Sequence, residues 1–157
     1  MSFSVKDLNA TIKIDAGRLA VDLERLKEEL TKKGFIIKRW YGQRIYKKVL
    51  KAADAAAYEC AKDLKKKAQE QTPVDTGALR NSAYIEKVGK GETSGYEVGY
   101  DKNNSKNIRD TYGRIQHEAM WFNHPNGGKA KFLEDPYNAN MRGYIGEIKQ
   151  AIKEELQ

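Results

Sequence analysis

The sequence predicts an α+β protein in which long helices pack on a small antiparallel sheet. Apolar residues recur at helical spacing near both ends of the chain and in an alanine-rich segment before its middle. Between the alanine-rich segment and the last helix, short runs of alternating apolar residues around a glycine-rich turn predict a β-hairpin. Helices on both sides of a small sheet are typical of the α+β class.

Three helices are predicted from the spacing of apolar residues. In the first, residues 16–33, leucines recur at intervals of four and three, and Gly34 ends the run. The second extends from about Trp40 to Gln71 and ends before Pro73, because a proline ring is incompatible with a continuing helix. Its small apolar face, which lets another element approach closely, is expected to contain Ile45, Val49, Ala52, Ala56, Cys60 and Leu64. The third, residues 138–156, has an apolar stripe made of Met141, Ile145, Ile148, Ile152 and Leu156.

Strands are predicted where apolar residues alternate. The second strand of the hairpin carries Tyr96, Val98 and Tyr100 on one face, and the first begins near Tyr84. Residues 3–14 are expected to form a short strand or an ordered lead. Residues 111–122 are compatible with a third strand or a short helix, and residues 101–110 have the composition of a mobile polar loop.

The length of 157 residues predicts one domain, in which residues 1–39 form a lead and first helix and residues 40–157 form the core. No apolar run approaches the roughly 20 residues that a membrane span needs, and the N-terminus lacks the apolar centre of a signal peptide. The single cysteine, Cys60, fits a reducing cytosol and is expected to be a small, inert, buried residue. We therefore expect a cytosolic origin and no membrane partner.

The net charge of +7 is concentrated in one segment, since residues 35–71 hold ten Lys and Arg against four Asp and Glu. Such a helix presents either a solvated basic face or a surface that faces DNA or an acidic partner. The predicted basic face consists of Arg44, Lys47, Lys48, Lys51, Lys62, Lys65 and Lys66.

The stretch QTPVDTGALRNS contains Asp75-Thr76-Gly77, the tripeptide that carries the catalytic carboxylate of aspartic proteases. Those enzymes need a second carboxylate to share a proton. This chain has no second copy of the tripeptide, and the one it has follows a helix instead of an apolar strand. We interpret it as a turn in which Asp75 or Thr76 caps a short helix through Leu79 and Arg80, while Gly77 permits the tight backbone.

An enzymatic alternative uses the two histidines. His117-Glu118 begins like the zinc-binding pattern H-E-x-x-H, but Trp121 stands where the second histidine belongs. His124 lies further along, and with Glu118 and Asp135 a metal site is conceivable. The alternative function is a basic metal-dependent nuclease or toxin-like enzyme that uses His117 and His124. Histidines in polar, turn-flanked stretches are more typical of a surface or an interface, so we predict no metal and no cofactor.

Several motifs occur in a recognisable order: TPVDTGALRNS after the alanine-rich helix, a hairpin that ends in VGY, QHE, and GGKAKFLEDP before the last helix. In this order they resemble the tail-completion or head-tail joining proteins of long-tailed bacteriophages and prophages, the gp-ten-like minor capsid family of lambda-type phages. The resemblance covers residues 40–157, and the first forty residues match more loosely. Residues 101–109 and the Trp121-Phe122 pair depart from the commoner form.

The resemblance implies a structural protein of the virion neck, present in the host cytoplasm during assembly, with no catalytic residues. It implies a homo-oligomeric ring that joins the DNA-filled head to the tail and meets portal, adaptor and tail proteins, with non-specific contact to passing DNA. The residues expected to form a structural corner between helix and sheet are Thr72, Pro73, Asp75, Thr76, Gly77, Leu79 and Arg80. The residues expected in a subunit-interface loop are His124, Gly128, Lys129, Phe132, Leu133, Glu134 and Pro136. In a ring, the Trp121-Phe122 pair is expected to be an interface anchor more than a surface that stacks on bases.

Overall fold

The computed structural model describes residues 10–13, 39–89, 95–100, 113 and 115–156. Within them the elements are, in order, β1 (Ala10–Lys13), α1 (Arg39–Gln71), α2 (Ala78–Asn81), β2 (Tyr84–Val88), β3 (Gly95–Gly99) and α3 (Glu134–Leu156). Two long helices pack with a small antiparallel sheet, which confirms the predicted α+β class. The predicted helix at residues 16–33 and the predicted loop at residues 101–110 lie outside the described residues.

The sheet has three strands in the order β1-β3-β2, and both pairings are antiparallel. The central strand β3 aligns Val98 with Ala10 on one side and with Ile85 on the other. Tyr96 and Val98 of β3 are buried, as their alternation predicts. The third strand is β1, from the N-terminal segment, whereas residues 115–118 form a helical turn.

Helix α1 ends at Gln71, two residues before Pro73, as the position of the proline predicts. Its buried face is rotated from the predicted one, because Ala52 and Ala56 are only half-buried. Alanines stand on several sides of this helix, so the apolar pattern alone did not determine which of them face inward. The buried residues of α1 are Val49, Ala53, Ala57, Cys60, Ala61, Leu64 and Ala68.

Helix α3 begins at Glu134, four residues earlier than predicted. Pro136 therefore lies in its first turn, where a missing N–H costs no hydrogen bond. The carboxylates of Glu134 and Asp135 in the same turn interact favourably with the positive end of the helix dipole. The predicted stripe was also wrong in part, since it omitted the tyrosines and included Ile145, which is half-buried. The buried residues of this helix are Tyr137, Tyr144 and Ile148, with Met141 and Ile152 packed beside them.

The two long helices run antiparallel, and large side chains of α3 meet the small face of α1. Near one end, the Lys67 Nζ atom donates to Asn140 Oδ1 at 2.8 Å. Further along, the Tyr144 hydroxyl donates to Asp63 Oδ2 at 2.6 Å. Cys60 lies in the same seam, where burial raises the pKa of its thiol to about 12, so the sulfur stays protonated at neutral pH.

Candidate functional site

The end of α1 is joined to the sheet by a buried hydroxyl pair. Thr72 is fully buried, and its Oγ1 donates to the Ala68 carbonyl at 2.7 Å. Because a threonine hydroxyl has one proton, the Tyr100 hydroxyl, 2.6 Å away, donates to Thr72 Oγ1. Burial raises the pKa of Tyr100 to about 12, so this donor is retained at neutral pH. The first residue beyond the helix is therefore tied both to the preceding turn and to the end of β3.

Arg80 ties the short helix α2 back to the same corner. Its Nη2 donates to the Thr72 carbonyl at 2.9 Å, and its own carbonyl accepts a hydrogen bond from Gln69 Nε2 at 2.9 Å. Leu79 beside it is buried in the core. The chain between Gln69 and Arg80 therefore forms a closed turn with a defined shape.

The Asp75-Thr76-Gly77 tripeptide lies on the outside of that turn. Thr76 Oγ1 accepts a hydrogen bond from the Ala78 N–H at 3.3 Å, and Gly77 has a φ of 82°, a left-handed conformation that glycine adopts without strain. Asp75 is exposed, and nothing in the described part of the chain forms a hydrogen bond or ion pair with it. The geometry here is that of a turn, with no shared-proton carboxylate pair among these residues.

The second motif, GGKAKFLEDP, packs directly on the first. A Cβ atom at Gly128 would lie 2.4 Å from Pro73 Cα, a distance that no side chain tolerates. The backbone N–H of the next residue, Lys129, donates to the Gln71 carbonyl at 3.0 Å. This bond satisfies one of the carbonyls that the end of α1 leaves open. The two motifs therefore form one joint at the end of α1.

This packing corrects part of the predicted interface loop. Phe132 and Leu133 are fully buried, and Pro136 is buried in the first turn of α3, so these three residues stabilise their own subunit. Gly128 and Lys129 are exposed, whereas His124 and Glu134 are half-buried. Of the predicted set, only these four residues are accessible at the surface of the chain.

A second joint is formed by Lys131, which adopts an unusual backbone conformation with a φ of 57°. Its N–H donates to the His117 carbonyl at 2.7 Å. Its ammonium group binds Glu118 at 2.5 Å and Glu134 at 2.9 Å. The lysine therefore joins the helical turn at residues 115–118 to the start of α3. Lys131 lies within the GGKAKFLE run but was not among the predicted site residues.

His117 is fully buried, which corrects the expectation of a surface histidine. Its Nδ1 lies 2.7 Å from Glu118 Oε1, and its ring packs edge-to-face on Phe132 with centroids 4.9 Å apart. Burial lowers the pKa of His117, although the neighbouring Glu118 carboxylate acts in the opposite direction. The hydrogen bond from Lys131 holds the pKa of Glu118 below its ordinary value.

These groups are the candidates for a metal or nuclease site in the described structure. His117, Glu118 and Glu134 bring one potential ligand atom each within 4.8 Å of one another. The ammonium group of Lys131 already bonds to both carboxylates of this group, so it supplies the positive charge that a metal would bring. A fully buried imidazole also cannot reach a substrate as general base in this conformation. Asp135 belongs to a different pair, with Lys129 at 2.5 Å.

The predicted basic face lies on the side of α1 opposite the core. All its members are exposed except Lys65, which is half-buried. In the second half of the helix lysines alternate with carboxylates, as in the Lys62–Glu59 pair at 2.7 Å. The first acidic residue of α1 is Asp54, so the first half carries cations alone.

Among the described helices, none has the length and apolarity that crossing a bilayer requires.

An exposed apolar surface follows the His117 turn. Trp121 is 84% exposed and Met120 is 77% exposed, while Phe122 and Ile115 are each somewhat less than half exposed. This exposure excludes a core position for Trp121, and the interface anchor stays a prediction beside the base-stacking surface. Buried contacts do not account for these side chains in one subunit.

We predict that Gly128→Ala destabilises the protein far more than Gly127→Ala. Both glycines have a positive φ, of 91° and 89°, so each substitution should cost about 1–2 kcal/mol in backbone strain. A Cβ at Gly127 meets nothing within 4 Å, whereas at Gly128 it collides with Pro73, which should add about 1–3 kcal/mol. Urea unfolding followed by circular dichroism measures both losses. Equal losses would contradict the packing of the two motifs.

We predict that stability falls as the pH is lowered from 7.5 to 5.5. Because the pKa of His117 is lower in the folded protein than in the unfolded chain, the unfolded chain takes up the proton first and is favoured as the pH falls. His117→Gln should reduce this dependence, while the control His124→Gln should retain it. The free energy of unfolding from urea titrations at both pH values is the measurement. A wild-type protein with equal stability at both would refute the predicted linkage.

Comparison with known proteins identifies the family. Residues 40–135 match the sequence profile of the HK97-gp10_like family, described as "Bacteriophage HK97-gp10, putative tail-component". The matched range extends from α1 through both motifs into the start of α3. No curated protein and no solved structure matches the chain. Because the match covers more than half of the sequence, the chain belongs to the HK97-gp10-like family of bacteriophage tail components.

Proposed function

We propose that this tail component acts in the virion neck, where it joins the DNA-filled head to the tail as one subunit of a ring. The observation that supports this most directly is the family match over residues 40–135. The motif residues by which the sequence resembles that family are used in backbone packing: Thr72 and Pro73 form a corner, and Gly128 closes on it. Motif residues that pack in this way are suited to a rigid structural protein, and none of them provides a reactive group for catalysis.

A ring places specific demands on its subunits. Each copy must present two different surfaces, and the rotation between copies must close. A subunit therefore needs a rigid frame, so that the angle between its two surfaces is the same in every copy. The joints at Thr72 and Lys131 fix the loops to the long helices and supply such a frame.

The chain is proposed to act as one domain, with residues 1–39 as a lead and residues 40–157 as the core. Its partners are proposed to be further copies of itself and the portal, adaptor and tail proteins of the same phage. The enzymatic alternative, a metal-dependent nuclease that uses His117 and His124, has less support. His117 is fully buried, and its carboxylate neighbour is bonded to Lys131.

The basic face of α1 is proposed to face an anionic partner, either the DNA that passes through the neck or an acidic neighbouring surface. Contact with passing DNA would be directed at phosphates, because a conduit must let every base sequence slide through. Such contact carries no sequence preference and weakens with salt.

The neck role predicts the size of the protein and of its complexes. In light scattering after size exclusion, the purified protein should either form a closed ring or be recruited in fixed stoichiometry by the portal and adaptor proteins encoded beside it. A monomer that ignores those proteins, and instead cleaves DNA with a divalent metal until His117→Ala abolishes the activity, would overturn the proposal and support the nuclease.

DNA contact predicts a steep salt dependence. Retention on duplex DNA should fall between low and physiological salt, and replacing Lys62 and Lys66 with Gln should reduce the slope of log affinity against log salt by about 2. The control replaces Lys149 and Lys153, exposed lysines of α3, and should leave the slope unchanged. Retention that is unaffected by salt, or absent at both concentrations, would contradict contact with DNA.

A further inference from the structure

Two exposed surfaces of the described structure have the composition of binding surfaces. The first, which we call the aromatic edge, consists of Ile115, Met120, Trp121 and Phe122. Its residues are among the most exposed large apolar side chains in the part of the chain that the structure describes. Exposed tryptophan and phenylalanine next to a polar rim are typical of a binding surface, where a few aromatic side chains supply most of the affinity.

The second surface, which we call the lysine tract, consists of Lys47, Lys48 and Lys51 in the first half of α1. All three side chains are exposed, and the described residues offer them no carboxylate partner. Lys51 lies three and four residues after Lys48 and Lys47, a spacing at which like charges on a helix repel each other. An anionic or electron-rich surface that binds there would reduce this repulsion.

The two surfaces lie at opposite ends of the subunit. The aromatic edge belongs to the loop that packs on the end of α1, because Lys129 bonds to Gln71 and Lys131 bonds to His117. The lysine tract lies 20 to 24 residues before Gln71 in the same helix, which at 1.5 Å per residue is about 30–36 Å away. One subunit therefore cannot bring its own edge and its own tract together.

The surfaces are complementary in chemistry. Lysine ammonium groups bind the faces of tryptophan and phenylalanine, and the aliphatic stems of lysine cover apolar surface. Among the described residues around the aromatic edge, the carboxylates outnumber the ammonium groups, since Glu118, Glu134 and Asp135 share Lys129 and Lys131. The edge therefore offers the lysine tract both aromatic faces and a slight negative charge.

We propose that the aromatic edge of one copy binds the lysine tract of a second copy, head to tail. This inference rests on the proposed function, since it names the contact that would build the ring. Because the two surfaces differ, the contact is heterologous, and a bound pair keeps one free tract on the first copy and one free edge on the second for further copies. Repetition of the same contact closes a ring if the rotation between copies allows it.

The test is a complementation experiment with two variants. The first, Trp121→Ala with Phe122→Ala, removes the edge, and the second, Lys47→Glu with Lys48→Glu and Lys51→Glu, reverses the tract. The wild-type protein should associate in sedimentation velocity, while each variant alone should be monomeric. An equimolar mixture should form a dimer and nothing larger, because only one intact edge and one intact tract remain in each pair. Trp121→Ala alone should weaken association about 25-fold or more, as expected for a residue at an interface centre.

The controls separate the proposal from its rivals. Circular dichroism and urea midpoints should show that both variants fold, because every replaced residue is exposed. Lys149→Glu with Lys153→Glu should leave association unchanged. Self-association of the tract variant would show that edges bind each other, and a monomeric mixture beside an oligomeric wild type would show a different interface. Either result, or a wild type that stays monomeric up to its solubility limit, overturns the inference.

The proposed neck function is judged separately, by recruitment to the portal and adaptor proteins. A wild-type monomer that is still recruited would refute the head-to-tail contact and leave the neck function standing. A tract variant that loses retention on duplex DNA but associates normally would assign the lysines to DNA and would also overturn the contact.

Discussion

The structure depends on one backbone contact, the packing of Gly128 against Pro73. The proline ends the longest helix, and the glycine lets a distant loop approach that end closely enough for the Lys129 N–H to bond the Gln71 carbonyl. With the helix end closed in this way, Thr72 can turn inward to Tyr100. Sheet, helices and loop therefore share one point at which their relative positions are set.

The second joint, at Lys131, orders the surface that carries the exposed aromatic residues. Its ammonium group draws Glu118 and Glu134 together, and its N–H holds the carbonyl of His117. The histidine packs inside against Phe132, while Met120 and Trp121 a few residues later are exposed. His117, Glu118 and Glu134, whose residue types are typical of metal sites, thus orient the aromatic edge instead.

Features with local signals were predictable from the sequence. Pro73 ended the helix where expected, and the alternation of Val98 with its neighbours identified the central strand. The contact of Gly128 with Pro73 was not predictable, because two motifs far apart in the chain leave no periodic pattern that connects them. The burial of His117 was missed for a related reason. The sequence around it is polar, and it does not show that Lys131 neutralises the neighbouring Glu118 carboxylate. Which alanines of α1 face inward depended on the tyrosines of another helix.

The bond from Lys129 to Gln71 has a consequence for synthesis. A ribosome completes the longest helix early, but the amide that closes the helix end emerges only after the whole sheet has been made. The large side chains that fill the small face of that helix come later still, from α3. Contacts of such sequence separation form slowly and late. The nascent chain must therefore be almost finished before its core is sealed, so a truncated product would present an open core and be a substrate for proteases.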